Sequence, residues 1–146
     1  MSRGLGKSER LVLDALRLHQ QYADFNHRWL SAYAIAHFRT CSGPLEYAGR
    51  AVFGRSHKKE WRCQRCGGPH EISAAQAESL RRAIRTLAKA GLVEADHYRV
   101  LEARLPLTTD EKKREDEESI LMRQHVEALG KLVDRYRRRR SGRRAV

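Results

Sequence analysis

The chain has 146 residues, with 30 Lys and Arg against 18 Asp and Glu, for a formal net charge of +12. That length fits one ordinary domain with a further helix or arm, and 40% hydrophobic residues exclude a wholly disordered chain. No apolar run is long enough to span a membrane, MSRGLGKSER lacks an apolar signal core, and three cysteines do not make a secreted disulfide framework. The expectation is a cytoplasmic protein with a polyanionic partner.

In chain order, Gly4 to Ser8 ends in G-K-S but lacks the first glycine and the strand of a phosphate-binding loop, so it is taken as an arm. Ser8 to about Tyr22 is predicted as a helix capped by Ser8, with Leu11, Val12, Ala15, Leu16 and His19 at helical spacing. Ser31 can cap a short second helix over about 32–40, with Ala32, Ile35, Ala36 and Phe38 as its apolar stripe. Residues 41–72 break the pattern. They are rich in glycine, contain two of the three prolines and all three cysteines, and are expected to be loop with one short helix near 45–53.

The strongest helix signal covers 74–90. Ser73 and Gln76 form an S-x-x-Q capping box, Ala77, Leu80, Ile84, Leu87 and Ala88 line one face, and Gly91 stands where a left-handed C-cap belongs, with Leu92 to make its hydrophobic contact. Two short strands follow, about 92–95 and 98–104, around a tight turn at Asp96-His97. Thr108 and Glu111 form another capping box, opening a long helix over about 109–138. Met122, Val126, Leu129, Val133 and Tyr136 step by 4, 3, 4 and 3, a heptad seam that predicts a homodimer. Packing of that face back on its own domain is the competing outcome. Residues 110–118 carry a net −3, while 135–146 hold seven arginines and no acid. That tail is expected to be a disordered arm that clamps phosphates.

Helix, short helix, well-capped helix and a hairpin follow one another in the winged helix–turn–helix order. SLRRAIRTLAKAGLVEADHYRV resembles the recognition helix and wing of winged-helix transcription regulators, and SERLVLDAL and LSAYAIAHF resemble their first two helices. The resemblance covers roughly residues 8–105. It implies a mainly α fold with a small β-wing, here with about thirty residues in place of the usual tight turn between the second and third helices. The expected organisation is a winged-helix domain over 1–107 (insertion 41–72), a dimerisation helix over 108–138 and a basic tail over 139–146.

An α-helix fits the major groove of B-DNA. Opposite its apolar stripe, helix 74–90 offers Gln76, Ser79, Arg82, Arg85 and Thr86, with Arg81 and Lys89 at the borders. Gln can pair with adenine and Arg with guanine, while the others can hold phosphates. Three arginines with one acid weigh against a merely solvated face. In the wing, His97, Tyr98 and Arg99 are candidates for phosphate or minor-groove contact, and Arg137, Arg138, Arg139 and Arg140 are candidates in the tail.

Cys63-Gln64-Arg65-Cys66-Gly67-Gly68 is a C-x-x-C followed by glycines, able to grip one tetrahedral metal. Cys41 is the expected third ligand and His70 the fourth, with His57 as the alternative, making a structural zinc site that ties helix two to helix three. Free thiols and a redox pair are the competing outcomes, and Gly-Gly-Pro after Cys66 argues against the second. His19, His37 and His125 lie on or near apolar faces and are taken as packed, as are Trp29 and Trp61, although Trp61 can instead stack on a base. No catalytic constellation is found, so an enzyme, including a zinc-stapled nuclease, is not expected. The function expected is sequence-specific duplex DNA binding as a transcriptional regulator. The rivals are a zinc-stapled protein-interaction subunit and a plasmid or phage replication or partition factor.

Overall fold

The computed structural model describes residues 4–49, 61–97 and 100–144. The chain divides into two compact units, Met1–Pro106 and Leu107–Val146. It is mainly helical, with a small antiparallel sheet and a long C-terminal helix, and no helix among the described residues is long and apolar enough to cross a membrane.

In the first unit, α1 spans Lys7–Tyr22. Its cap is Gly6 rather than Ser8: the Gly6 N–H donates to Glu9 Oε2 at 3.1 Å, and Arg10 N–H donates to the Gly6 carbonyl. The Ser8 hydroxyl is bonded instead to Ser79 at 3.0 Å, which pins the start of α1 to the third helix. Val12, Ala15, Leu16 and His19 are buried as the periodicity requires. After a 3-10 turn at Phe25–His27, Leu30–Ser31 form a two-residue strand, β1, and Ser31 caps α2, Ala32–His37, by accepting from Ala34 N–H.

The second helix is shorter than the expected 32–40. Its end is closed at the His37 carbonyl, which accepts from the N–H groups of both Thr40 and Cys41. Beyond it the expected helix near 45–53 is not seen at its start. Glu46–Tyr47 form β2, antiparallel to β3 at Trp61–Arg62, with Tyr47 paired to Trp61. The two rings meet edge to face at 5.4 Å, and His27 stacks on Tyr47 at 4.4 Å. Cross-strand aromatic packing of this kind favours a ladder over a helix. Residues 50–53 lie outside the described residues.

The third helix, α3, spans Ala74–Lys89 and carries both halves of its capping box, Gln76 N–H to Ser73 Oγ at 3.1 Å and Ser73 N–H to Gln76 Oε1 at 3.0 Å. At its other end Gly91 has φ +75°, Gly91 N–H reaches the Ala88 carbonyl and Leu92 N–H the Leu87 carbonyl. This is the Schellman geometry, which needs a left-handed residue that only glycine adopts freely. Leu80, Ile84 and Leu87 are almost wholly buried against α1 and α2, each worth roughly 2 kcal/mol.

The hairpin strands are shorter than expected, β4 at Glu94–Asp96 and β5 at Glu102–Arg104. Leu92 N–H is committed to the helix cap, so the strand cannot begin there. The register pairs Asp96 with Glu102, so a longer connection replaces the expected tight turn at Asp96-His97. The sheet order is β1-β5-β4, with Leu30 facing Ala103, both fully buried. Arg104 lies over the Trp29 ring at 4.4 Å and meets Glu94 Oε2 at 2.8 Å.

In the second unit, α4 spans Thr109–Arg144. Glu111 N–H donates to Thr108 Oγ1 and Thr108 N–H to Glu111 Oε1, each at 3.2 Å. The helix runs past the expected end at 138, through the arginines expected as a disordered arm. Arginine is a good helix former, and cations favour the negative end of the helix dipole.

Candidate metal centre and nucleic-acid face

His37, Cys41, Cys63 and Cys66 present one nitrogen and three sulfurs within 4.8 Å of one another. The chain brings them together by simple means. The α-type closure at the end of α2, Cys41 N–H to the His37 carbonyl at 3.1 Å, puts Cys41 one turn past His37. Then β3 delivers Cys63 directly. Cys63 N–H donates to the Gly68 carbonyl and Gly67 N–H to the Cys63 carbonyl, both at 2.8 Å, folding Cys66 back beside Cys63.

Zinc–sulfur and zinc–nitrogen bonds of about 2.3 and 2.05 Å at tetrahedral angles place two sulfurs about 3.8 Å apart, and a sulfur and a nitrogen about 3.6 Å apart. Cys41 Sγ to Cys63 Sγ is 3.8 Å, and Cys66 Sγ to His37 Nδ1 is 3.6 Å. His37 Nε2 lies 3.0 Å from the Gly43 carbonyl. A carbonyl only accepts, so Nε2 carries the proton and Nδ1 keeps its lone pair toward the sulfurs. Amides also aim at sulfur, Gly43 N–H to Cys41 Sγ at 3.3 Å and Gly68 N–H to Cys66 Sγ at 3.4 Å. A Cβ on Gly43 would sit 2.8 Å from Cys63 Sγ, so no larger residue fits there unless the cluster opens.

The thiols differ in acidity. Burial pushes the Cys63 thiol up, but the amides of Cys66 and Arg65 and the two neighbouring thiols bring it net below its ordinary value. At Cys66 the Gly68 amide favours the thiolate, yet burial and the neighbouring sulfurs leave it raised. The four groups can hold a metal ion. The expected fourth ligand is corrected: His70 is exposed and outside the group, because the turn after Cys66 is used up in folding the knuckle, while His37, taken as a packed histidine, completes the set. His37 and Cys41 stand in an H-x-x-x-C spacing at a helix end, a signal that was present in the sequence. His57 lies outside the described residues.

The polar face of α3 is less free than its composition implies. Gln76 is exposed, but its Oε1 is committed to the cap, so its NH2 is the part of the amide not used there. Ser79 is exposed and bonded to Ser8. Arg81, Arg82 and Arg85 converge on Glu78 at 3.6, 3.6 and 3.3 Å, with side-chain exposures of 38%, 77% and 48%. Slight desolvation pushes the Glu78 carboxyl up, but Arg85, Arg81 and Arg82 hold it below its ordinary value. The Thr86 hydroxyl donates to the Arg82 carbonyl at 3.0 Å, and Lys89 is exposed in the last turn.

His97 is exposed just past β4, whereas Tyr98 and Arg99 lie outside the described residues. Arg137, Arg138, Arg139 and Arg140 are exposed on α4. Trp61 is buried, with His19 edge-on at 4.8 Å, so it packs and is not presented for stacking on a base. Comparison with known protein families, with curated proteins and with solved structures finds no match.

Proposed function

We propose that the first unit is a winged-helix module that reads duplex DNA, with α3 in the major groove and the β4–β5 hairpin as its wing, and that the protein is a transcriptional regulator. The observation that carries this is α3 itself. It is fixed by a cap at each end, buried along one stripe and lined on the other with guanidinium groups. A rigid helix with a cationic outer face suits a groove whose walls are phosphate. The order helix, strand, helix, helix, hairpin, with sheet order β1-β5-β4, supports the same reading.

In this reading the resident metal is zinc, held by His37 Nδ1 and the thiolates of Cys41, Cys63 and Cys66. It supplies folding free energy and no reaction chemistry. It holds the end of α2 against the segment that leads into α3, so the long connection does not loosen the helix pair. Glu78 keeps three guanidiniums gathered until guanine edges or phosphates replace it.

Arg82 is the most exposed of the three. Arg82→Ala is expected to weaken binding to the preferred site by about 5- to 150-fold and to relax sequence preference. Binding and preference that stay at the wild-type level would remove α3 from the interface.

A further inference from the structure

The unclaimed feature of the molecule is the apolar face of α4. Met122, Val126, Leu129, Leu132, Val133 and Tyr136 are all about half exposed or more, along a helix whose two ends differ sharply in charge. We infer that α4 pairs with α4 of a second copy of this chain, antiparallel, so that the acidic start of each helix lies on the arginine-rich end of the other.

The heptad fixes the register. Positions a are Ser119, Val126, Val133 and Arg140, and positions d are Glu115, Met122, Leu129 and Tyr136. In an antiparallel pair, layers form between a of one helix and d of the other. Setting Val126 level with Leu129 of the second copy puts Val133 on Met122 and Tyr136 on Ser119, and the next layer outward is Arg140 on Glu115. The flanking positions agree: at e, Arg137 meets Asp116, and at g, Arg139 meets Glu118. By the two-fold symmetry each pairing occurs at both ends.

A parallel pair is opposed by the same residues. It places Arg140 on Arg140 and Glu115 on Glu115 within the seam. Like charges directly opposite in a partly desolvated layer disfavour that orientation. The inference does not depend on what the first unit binds. In the antiparallel pair the starts of the two helices lie about 55 Å apart along the axis, from a rise of 1.5 Å per residue.

Sedimentation equilibrium on the full chain, with variants of each end, tests this. Glu115→Lys, Asp116→Lys and Glu118→Lys together are expected to weaken the dimer about tenfold or more. Arg137→Glu, Arg139→Glu and Arg140→Glu together should do the same. The chain carrying all six changes should recover near wild-type association, with helix content by circular dichroism unchanged throughout. Mixing Ser119→Cys and Tyr136→Cys chains under mild oxidation should link residue 119 to residue 136, as read by peptide mass spectrometry. A wild-type chain that stays monomeric at about 100 µM, triple variants that associate like the wild type, a six-fold variant that is not rescued, or 119-to-119 links would each overturn the inference.

Discussion

Replacing His37 by Ala is the sharpest test of the metal cluster, because it sets the histidine that the structure places in the group against His70, the one expected from the sequence. His37 is almost wholly buried, contributes Nδ1 to the group and is oriented by its Nε2–H to the Gly43 carbonyl at 3.0 Å. Removing an orienting partner of a metal ligand typically costs 10- to 100-fold in affinity, and here the ligand goes with it. A loss of at least about 100-fold, roughly 2.7 kcal/mol, is expected. A further 1–3 kcal/mol of stability is expected to go from the unsatisfied Gly43 carbonyl. The assay is metal content per chain by elemental analysis, followed by chelator competition and denaturant unfolding. His70→Ala serves as the control and should retain one equivalent at wild-type affinity. A His37→Ala chain that keeps its metal, or a His70→Ala chain that loses it, would refute the reasoning.

Other expectations follow from the same geometry. Glu94→Gln removes the carboxylate charge 2.8 Å from the Arg104 guanidinium, whose side chain is 9% exposed. Glu94 is itself partly solvated, so the cost should be about 2 kcal/mol, below that of a fully buried pair, read as a lower urea midpoint at constant slope; an unchanged midpoint would remove the pair from the stability of the hairpin. Burial lowers the pKa of His19, partly offset by its bond to the His27 carbonyl at 2.7 Å and reinforced by the nearby His27. The unfolded chain therefore takes up a proton first, so stability falls as pH drops below about 6.5 toward the lower folded value. His19→Gln should flatten that fall relative to wild type at equal metal loading, and an identical pH profile would contradict it. Arg135→Gln and Arg138→Gln together remove two exposed guanidiniums of α4 that lie off the proposed pairing positions and should weaken binding to all DNA sequences alike while flattening its salt dependence; loss of specific binding only would contradict a phosphate role for that end.

Legibility from the sequence followed the range of the interaction. The capping boxes at Ser73–Gln76 and Thr108–Glu111 and the left-handed Gly91 were readable because each signal lies within one turn of chain. The apolar stripes of α1 and α3 were readable because burial imposes a period. By contrast, β1 is two residues long and exists through pairing with β5, some seventy positions away, so no local period reveals it. The same holds for β2 and β3, joined across the insertion by Tyr47 and Trp61. At the metal cluster the C-x-x-C was plain, but His37 sits on the buried face of α2, where a histidine ordinarily only packs. Its role emerged when the closure after α2 set Cys41 beside it. On α3 the arginines were visible as charge, while their common partner Glu78, on the same surface three to seven positions away, alters how freely that charge is offered.

Whether α3 reads duplex DNA is decided by selection of binding sites from random duplexes with the metal-replete full chain. At a salt concentration high enough to suppress phosphate-only binding, one enriched motif is expected for the wild type and a degraded motif for Arg82→Ala. Pools that stay random with wild-type protein, or that enrich the same motif equally with both proteins, would contradict it.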